Sequence, residues 1–301
     1  MQTPESETRI IWDDSDLRII YAPHHSETLL LTFGDLLSGV NGFSFPADRA
    51  VRKLGYAAIG FVAKKPNWYT GPTFGAALDF ARGFAERYPK RVAYGASMGG
   101  YAAIKYSRVL ETSGVLTLTP QWTIDPGECG GMPNGYEKYY NAGMKGMGIT
   151  DADIAGELML IYDPAHRIDT YHVNTISALA PWAVRVHCHA SDHHVARVIS
   201  GTEVLRKLIA AAVMGDQKAA FGAVSSARRL SNRRKAIVLA RAREKHTRLA
   251  WSALQGLGES GLTLFKRDSD FHLPAAAAFS RLGDHLNAQA VLEHLSRSTV
   301  R

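Results

Sequence analysis

The stretch that most constrains this chain is Arg91-Val92-Ala93-Tyr94-Gly95-Ala96-Ser97-Met98-Gly99-Gly100-Tyr101. Three residues of strand character run into Gly-x-Ser-x-Gly, and a helix-forming segment, Tyr101 to Leu110, follows at once. A strand that turns this sharply into a helix holds the serine hydroxyl exposed on a tight, strained turn. The glycines two residues either side of Ser97 matter because a Cβ there would collide with the neighbouring strand and helix.

Around that turn the chain alternates strand and helix signals. Residues 8–22 read as two short strands about the turn Asp13-Asp14-Ser15-Asp16, and Thr28–Phe33 is a continuous apolar run suited to a buried parallel strand. A helix of about ten residues follows Phe45-Pro46 and stops at Gly55, then a strand over Tyr56–Ala63 and a helix over Phe74–Arg87. Beyond the serine, strands are predicted over Ser113–Thr119, Leu158–Tyr162 and Ala183–His189, with helices over Thr170–Leu179 and Val195–Met214. This alternation implies an α/β fold, a mostly parallel twisted sheet covered by helices on both faces. Residues 121–156 interrupt it with crowded Gly, Pro, Met and Tyr, the composition of a lid or pocket wall between core elements.

Past Met214 the strand signals stop. Residues 216–256 and 274–297 read as helical, and the last stretch has a helix–turn–helix pattern about Gly283-Asp284 that resembles a single tetratricopeptide-like hairpin. Two regions are therefore expected: a sheet domain over 1–214 and a helical appendage over 215–301. Charge divides at the same place. Residues 214–301 carry 15 Lys and Arg against 7 Asp and Glu, while the rest of the chain is near neutral. Sparse aromatic interleaving favours a solvated Arg-rich helical face over a nucleic-acid surface, and leaves a protein partner or a homodimer through these helices as the expectation. The chain has no apolar run of about 18 uncharged residues, so no membrane span is expected, and the polar, acidic start MQTPESETRIIW points to a cytoplasmic protein. Cys129 and Cys188 lie far apart, as free thiols would in that setting.

A serine nucleophile needs a base, and the base needs an orienting group. The chain supplies candidates in the order Ser, acid, His. Asp163 stands at the end of the Leu158–Tyr162 strand, where a loop carboxylate reaches toward the next loop, and is preferred to Asp169, which falls where an N-cap would sit before Thr170. His193 is preferred as base to the adjacent His194, which is closer to the following helix. The oxyanion of acyl transfer needs N–H donors, expected from Met98 and from Gly34 or Asp35 after the Thr28–Phe33 strand. Trp68, Tyr69 and Trp122, with Tyr136, Tyr139 and Tyr140, are the expected pocket aromatics. Neither a metal nor an organic cofactor is expected, since no His/Cys/Asp cluster has metal-ligand spacing.

Residues from about 25 to 213 resemble the α/β-hydrolase superfamily. The residues that carry the likeness are the Gly-Ala-Ser-Met-Gly-Gly-Tyr-Ala-Ala turn, Asn67-Trp68-Tyr69 before it and Tyr162-Asp163-Pro164 after it, as in a bacterial, largely uncharacterised branch. The resemblance implies Ser97 as nucleophile and the Met98 N–H in the oxyanion hole. Two features depart from the family pattern: no His-Gly-Gly-Gly oxyanion motif is present, and Asp192 replaces the usual glycine before the histidine. The expected activity is a serine hydrolase cleaving an ester or thioester of a small or acylated substrate. An acyltransferase on the same triad, or a non-catalytic binding module working through the basic helices, are the alternatives.

Overall fold

The structure, a computed structural model, describes residues 7–242, 276–277 and 279–298. Eight strands form one sheet: β1 Arg9–Asp13, β2 Leu17–Ala22, β3 Thr28–Phe33, β4 Ala57–Ala63, β5 Lys90–Ala96, β6 Gly114–Leu118, β7 Glu157–Tyr162 and β8 Val184–His187. Their order is β1-β2-β4-β3-β5-β6-β7-β8. The β1–β2 and β2–β4 pairs are antiparallel and the remaining pairs parallel. The central strands are apolar throughout because both faces are covered. Every residue of β4 is at most 3% exposed, and Leu29 to Phe33 at most 1%.

One face carries α1 Asp48–Leu54, α6 Thr202–Met214 and α7 Gln217–Leu230, whose Val51, Leu208 and Val224 pack with Ile20, Val92 and Ile161. On the opposite face lie α2 Phe74–Ala85, α3 Met98–Lys105 and α4 Arg167–Leu179, with Leu78, Tyr101 and Val173 against Leu29, Ala93 and Leu160. The connection from β3 runs to β4 on one side, and the chain then crosses to β5 on the other. That reversal opens a crevice beyond the C-terminal ends of β3 and β5, where open α/β sheets place their ligands. Ser97 and Gly34 stand on its two sides.

The expected helix over Val195–Met214 is two helices, α5 Val195–Val198 and α6, parted at Gly201, where φ is 133°. Residues 121–156 contain no strand and three single 3₁₀ turns, yet Ile124, Met147, Ile149 and Ile154 are buried in the second core cluster. Carboxylate acceptors hold this segment: the buried Asp125 takes the N–H groups of Gly127 and Gly146, and the half-buried Glu128 takes the Thr123 hydroxyl and the Gly148 N–H. It packs against both α3 and α4, with the Tyr101 hydroxyl and Lys105 on the Met147 and Gly148 carbonyls and His172 on the Trp122 N–H.

After α7 the described chain continues as α8 Asn232–Ala242 and, after residues 276–277 and 279–281, as α9 His285–Ser298. Between α9 and the residues before it, Gly283 turns at φ 77° and Asp284 accepts the Asn287 N–H, matching the punctuation expected about Gly283-Asp284. The rest of the helical reading, over residues 243–275, lies outside the described residues. Among the described residues no helix is long and apolar enough to cross a membrane. Cys129 and Cys188 are free and buried.

Candidate active site

The turn at Ser97 has the strain its sequence implies. Ser97 sits at φ 51°, ψ −120°, immediately before α3, a backbone region costly for a residue with a Cβ. Its N–H donates to the Leu118 carbonyl at 2.9 Å, which ties the turn to the end of β6. Both motif glycines prove necessary: a Cβ on Gly95 would strike the Gly99 carbonyl, and one on Gly99 the Phe33 carbonyl. Because α3 starts at Met98 and not near Tyr101, the Met98 N–H belongs to the helix's first turn, where N–H groups have no intrahelical acceptor.

His193 Nε2 lies 3.1 Å from Ser97 Oγ, and His193 Nδ1 lies 2.8 Å from Asp169 Oδ1. A carboxylate at Nδ1 holds the proton there and leaves Nε2 as acceptor for the serine hydroxyl. Of the two aspartates and two histidines weighed from sequence, these are the ones the structure brings to Ser97. His194 instead opens α5, and burial, then Arg233 and Arg197, hold its imidazole below the ordinary range.

The preferred acid, Asp163, has a different position. It is fully buried, and its carboxylate accepts the N–H groups of Ala165, Ser191 and Asp192 at 2.9–3.1 Å. Ala190 and Asp192 both have left-handed backbones, at φ 58° and 55°. Asp163 thus clamps the loop that presents His193, and Asp169 takes the place at Nδ1. The reason is local. Helix α4 begins at Arg167 with His166 as its N-cap, His166 Nδ1 accepting the Asp169 N–H at 3.2 Å. Asp169 is therefore inside the first turn, facing the sheet, and not at the cap.

Asp169 is 0% exposed. Burial pushes its carboxyl up, but the facing imidazoles of His166 and His193 outweigh this and hold it below its ordinary value. The His166 imidazole is raised, chiefly by the Asp169 carboxylate, whose Oδ2 lies 3.0 Å from Nδ1 and favours a proton there. His166, Asp169 and His193 bring three potential ligand atoms within 4.8 Å of one another, a grouping that sequence spacing did not disclose. In the described geometry Asp169 Oδ1 and His193 Nδ1 are turned toward each other as hydrogen-bond partners.

Two further groups meet at Ser97. The Tyr136 hydroxyl, from the 121–156 segment, lies 2.8 Å from His193 Nε2. Burial raises this phenol far above its usual range, so it remains a neutral O–H. The Gln121 side chain, fully buried, donates from Nε2 to Ser97 Oγ at 3.1 Å. Gln121 went unread in the sequence, since nothing in its neighbourhood distinguishes it. Its place follows from β6 lying beside β5.

Gly34 and Asp35 do reach the crevice, but both amides have partners: Gly34 N–H donates to the Phe61 carbonyl at 3.0 Å and Asp35 N–H to Ser38 Oγ at 3.0 Å. Over Ser97 lies a cleft of about 260 Å³ walled by Leu36, Tyr136, Tyr139, His193 and Arg197. Trp68 stands behind it, its ring 5.5 Å from that of Tyr136 and 5.7 Å from that of Tyr139. Tyr69 braces the loop after β3 by donating to the Gly34 carbonyl at 2.9 Å. Trp122 ties α4 to the inserted segment, its N–H on His172 and its indole on the Ile149 carbonyl.

The sheet order, the crossing between β3 and β5 and the strained strand–Ser–helix turn define the α/β-hydrolase fold. No family model matches the chain, and no curated protein matches it. Among solved structures it is similar to a sugar hydrolase from Lactococcus lactis, with 12% identity over 74% of this chain and 96% of that one and a TM-score of 0.47. It is similar also to carboxyl esterase 2 of the fungus Tuber melanosporum, at 12% identity over 75% and 86% and a TM-score of 0.44. The capsule O-acetyltransferase of Neisseria meningitidis serogroup A shares 9% identity over 56% and 78%, with a TM-score of 0.42. At these values the likeness transfers no substrate and no residue role.

Proposed function

We propose that this chain is a serine hydrolase acting on a carboxylic ester or thioester through an acyl-enzyme. The observation that carries the reading is the relay Ser97 Oγ–His193 Nε2–Asp169, with separations of 3.1 and 2.8 Å. Serine alone is a weak nucleophile at neutral pH. An imidazole within reach, fixed in one tautomer by a buried carboxylate, makes it a strong one.

In this reading Ser97 Oγ bonds to the substrate carbonyl carbon while its proton passes to His193 Nε2. The carbonyl π pair moves onto oxygen, where the Met98 N–H receives it. The adduct collapses, the carbon–leaving-group bond breaks, and the departing alcohol or thiol takes the proton from His193. Water then repeats the sequence on the acyl-enzyme and frees the acid. Asp169 keeps its charge throughout and stabilises the imidazolium.

Transfer of the acyl group to an alcohol uses the same groups, and the two outcomes part on whether water or alcohol reaches the acyl carbon. Turnover of nitrophenyl acetate tests the proposal: wild type releases nitrophenol and Ser97→Ala does not. Equal rates from the two proteins contradict it.

A further inference from the structure

Beyond Met98, the donors expected from the β3 loop are engaged, Gly34 N–H with the Phe61 carbonyl and Asp35 N–H with Ser38 Oγ. A developing oxyanion held by one N–H alone would forgo much of the electrostatic stabilisation such sites provide. The end of β6 offers another donor. Thr119 is a β-branched residue held at φ 47°, a conformation that costs free energy and persists only where its surroundings impose it. That turn, followed by Pro120, directs the Gln121 side chain back to Ser97.

The orientation of the carboxamide is determined by its neighbours. Nε2 lies 3.1 Å from Ser97 Oγ and 3.3 Å from the Thr119 carbonyl. The reverse orientation would set two acceptor oxygens against each other. The other end of the amide has no such satisfaction: Gln121 Oε1 is buried with no hydrogen-bond partner in the protein, although the residue is 0% exposed. A buried carboxamide with one half unpaired is a poor packing group, since an apolar side chain of the same shape would avoid that desolvation. Strain at Thr119 and an unpaired oxygen on Gln121 are two costs incurred at one place, and what they deliver is an N–H aimed at the nucleophile.

We propose that Gln121 Nε2 is the second donor of the oxyanion site, an assignment that rests on Ser97 being the nucleophile. In the resting protein this N–H is directed at Oγ. When Oγ bonds to the substrate carbonyl carbon, the carbonyl oxygen becomes its neighbour on that carbon. The N–H then turns from Oγ to the new oxyanion and joins the Met98 N–H as its second donor. No proton leaves Gln121: the Oγ proton goes to His193 and on to the leaving group, and the amide only lends its dipole. On collapse of the second adduct the N–H returns to Oγ as the serine is released.

Two near-isosteric variants of the full chain test this, Gln121→Met, which has no donor, and Gln121→Glu, which offers a carboxylate. Both are expected to lower kcat on nitrophenyl acetate by about 10²- to 10³-fold, the effect of removing one oxyanion donor. KM should stay within about threefold of wild type, as for a contact made in the transition state alone. Affinity for phenylboronic acid, which forms a tetrahedral adduct on serine, should fall in parallel, and the melting temperature of Gln121→Met should not fall below that of wild type. A kcat within threefold of wild type in either folded variant overturns the assignment. So does a loss of activity that tracks a lowered melting temperature, or failure of both variants to fold, since either makes Gln121 a packing residue. Ser97→Ala run alongside separates the two claims. If it turns over substrate like wild type, the hydrolase reading fails. If it is dead while Gln121→Met is fully active, only the Gln121 role fails.

Discussion

At the scale of single residues, the two buried aspartates make the sharpest contrast. Asp169 faces His193 Nδ1 at 2.8 Å, whereas Asp163 holds the amides of the loop that carries that histidine. Asp169→Asn should therefore fold normally and lose about 10³- to 10⁴-fold in kcat, since an amide at Nδ1 favours the wrong tautomer. Asp163→Ala should instead leave buried N–H groups unsatisfied and cost on the order of 2 kcal/mol in urea unfolding. Equal stability losses in the two variants would contradict the division. Tyr136 sits closer to His193 Nε2 than Ser97 does, at 2.8 against 3.1 Å, and that nitrogen has one lone pair. Tyr136→Phe should raise the rate of Ser97 labelling by a small fluorophosphonate several-fold, and a tenfold fall would make the phenol part of the machinery. Ser97 and His193, which stand 3.1 Å apart, were legible as a pair from sequence because the glycines and the chain order mark them. Asp169, the alternative to Asp163, reads as a cap in the sequence because His166 caps α4, and histidine is not among the residues by which a helix start is recognised. Gln121 left no local signal at all.

At the scale of elements, the strands and most helices were readable from apolar runs bounded by Gly and Pro, because a sheet buried on both faces leaves little freedom in composition. The inserted segment over 121–156 was readable only as an interruption. Its order comes from paired polar groups that no periodicity reveals, and His172 on α4 is central among them. Its Nδ1 accepts the Trp122 N–H at 3.2 Å, and its Nε2 lies 3.4 Å from the Asn134 carbonyl. Burial pushes this imidazole down to about 4, against 6.5 for an ordinary histidine. In the unfolded chain it takes up a proton near pH 6.5, while the folded protein resists doing so until about 4. Stability from this group is thus full above pH 6.5 and falls as pH drops toward 4, by on the order of 3 kcal/mol if the shift is fully expressed. Urea unfolding at pH 7 and pH 4.5 should show that loss in wild type and a smaller one in His172→Gln. Identical pH dependences would show that the insertion is not held this way.

For the whole molecule, the open question is how the C-terminal third belongs to the sheet. We propose that its helices extend the sheet domain's own core and do not merely touch it. Ala220, Val224 and Ile237 lie in the same buried cluster as Val92 and Ile161. Part of the basicity concentrated in this third is also structural, since the Arg234 guanidinium donates to the His189 carbonyl at 3.3 Å. Val224 is 1% exposed, so Val224→Asp buries a charge and should destabilise the whole protein by about 3 kcal/mol in a single urea transition. A change under about 0.5 kcal/mol, or a separate early transition, would make α7 an independent attachment.

The catalytic proposals all depend on the Ser97–His193–Asp169 relay making Ser97 a nucleophile. Intact-protein mass spectrometry after fluorophosphonate treatment, with peptide mapping, tests it most directly. One adduct per wild-type chain, located on Ser97 and slowed at least a hundredfold in His193→Ala, is the predicted result. An adduct absent from Ser97, or formed at the same rate without His193, would contradict it.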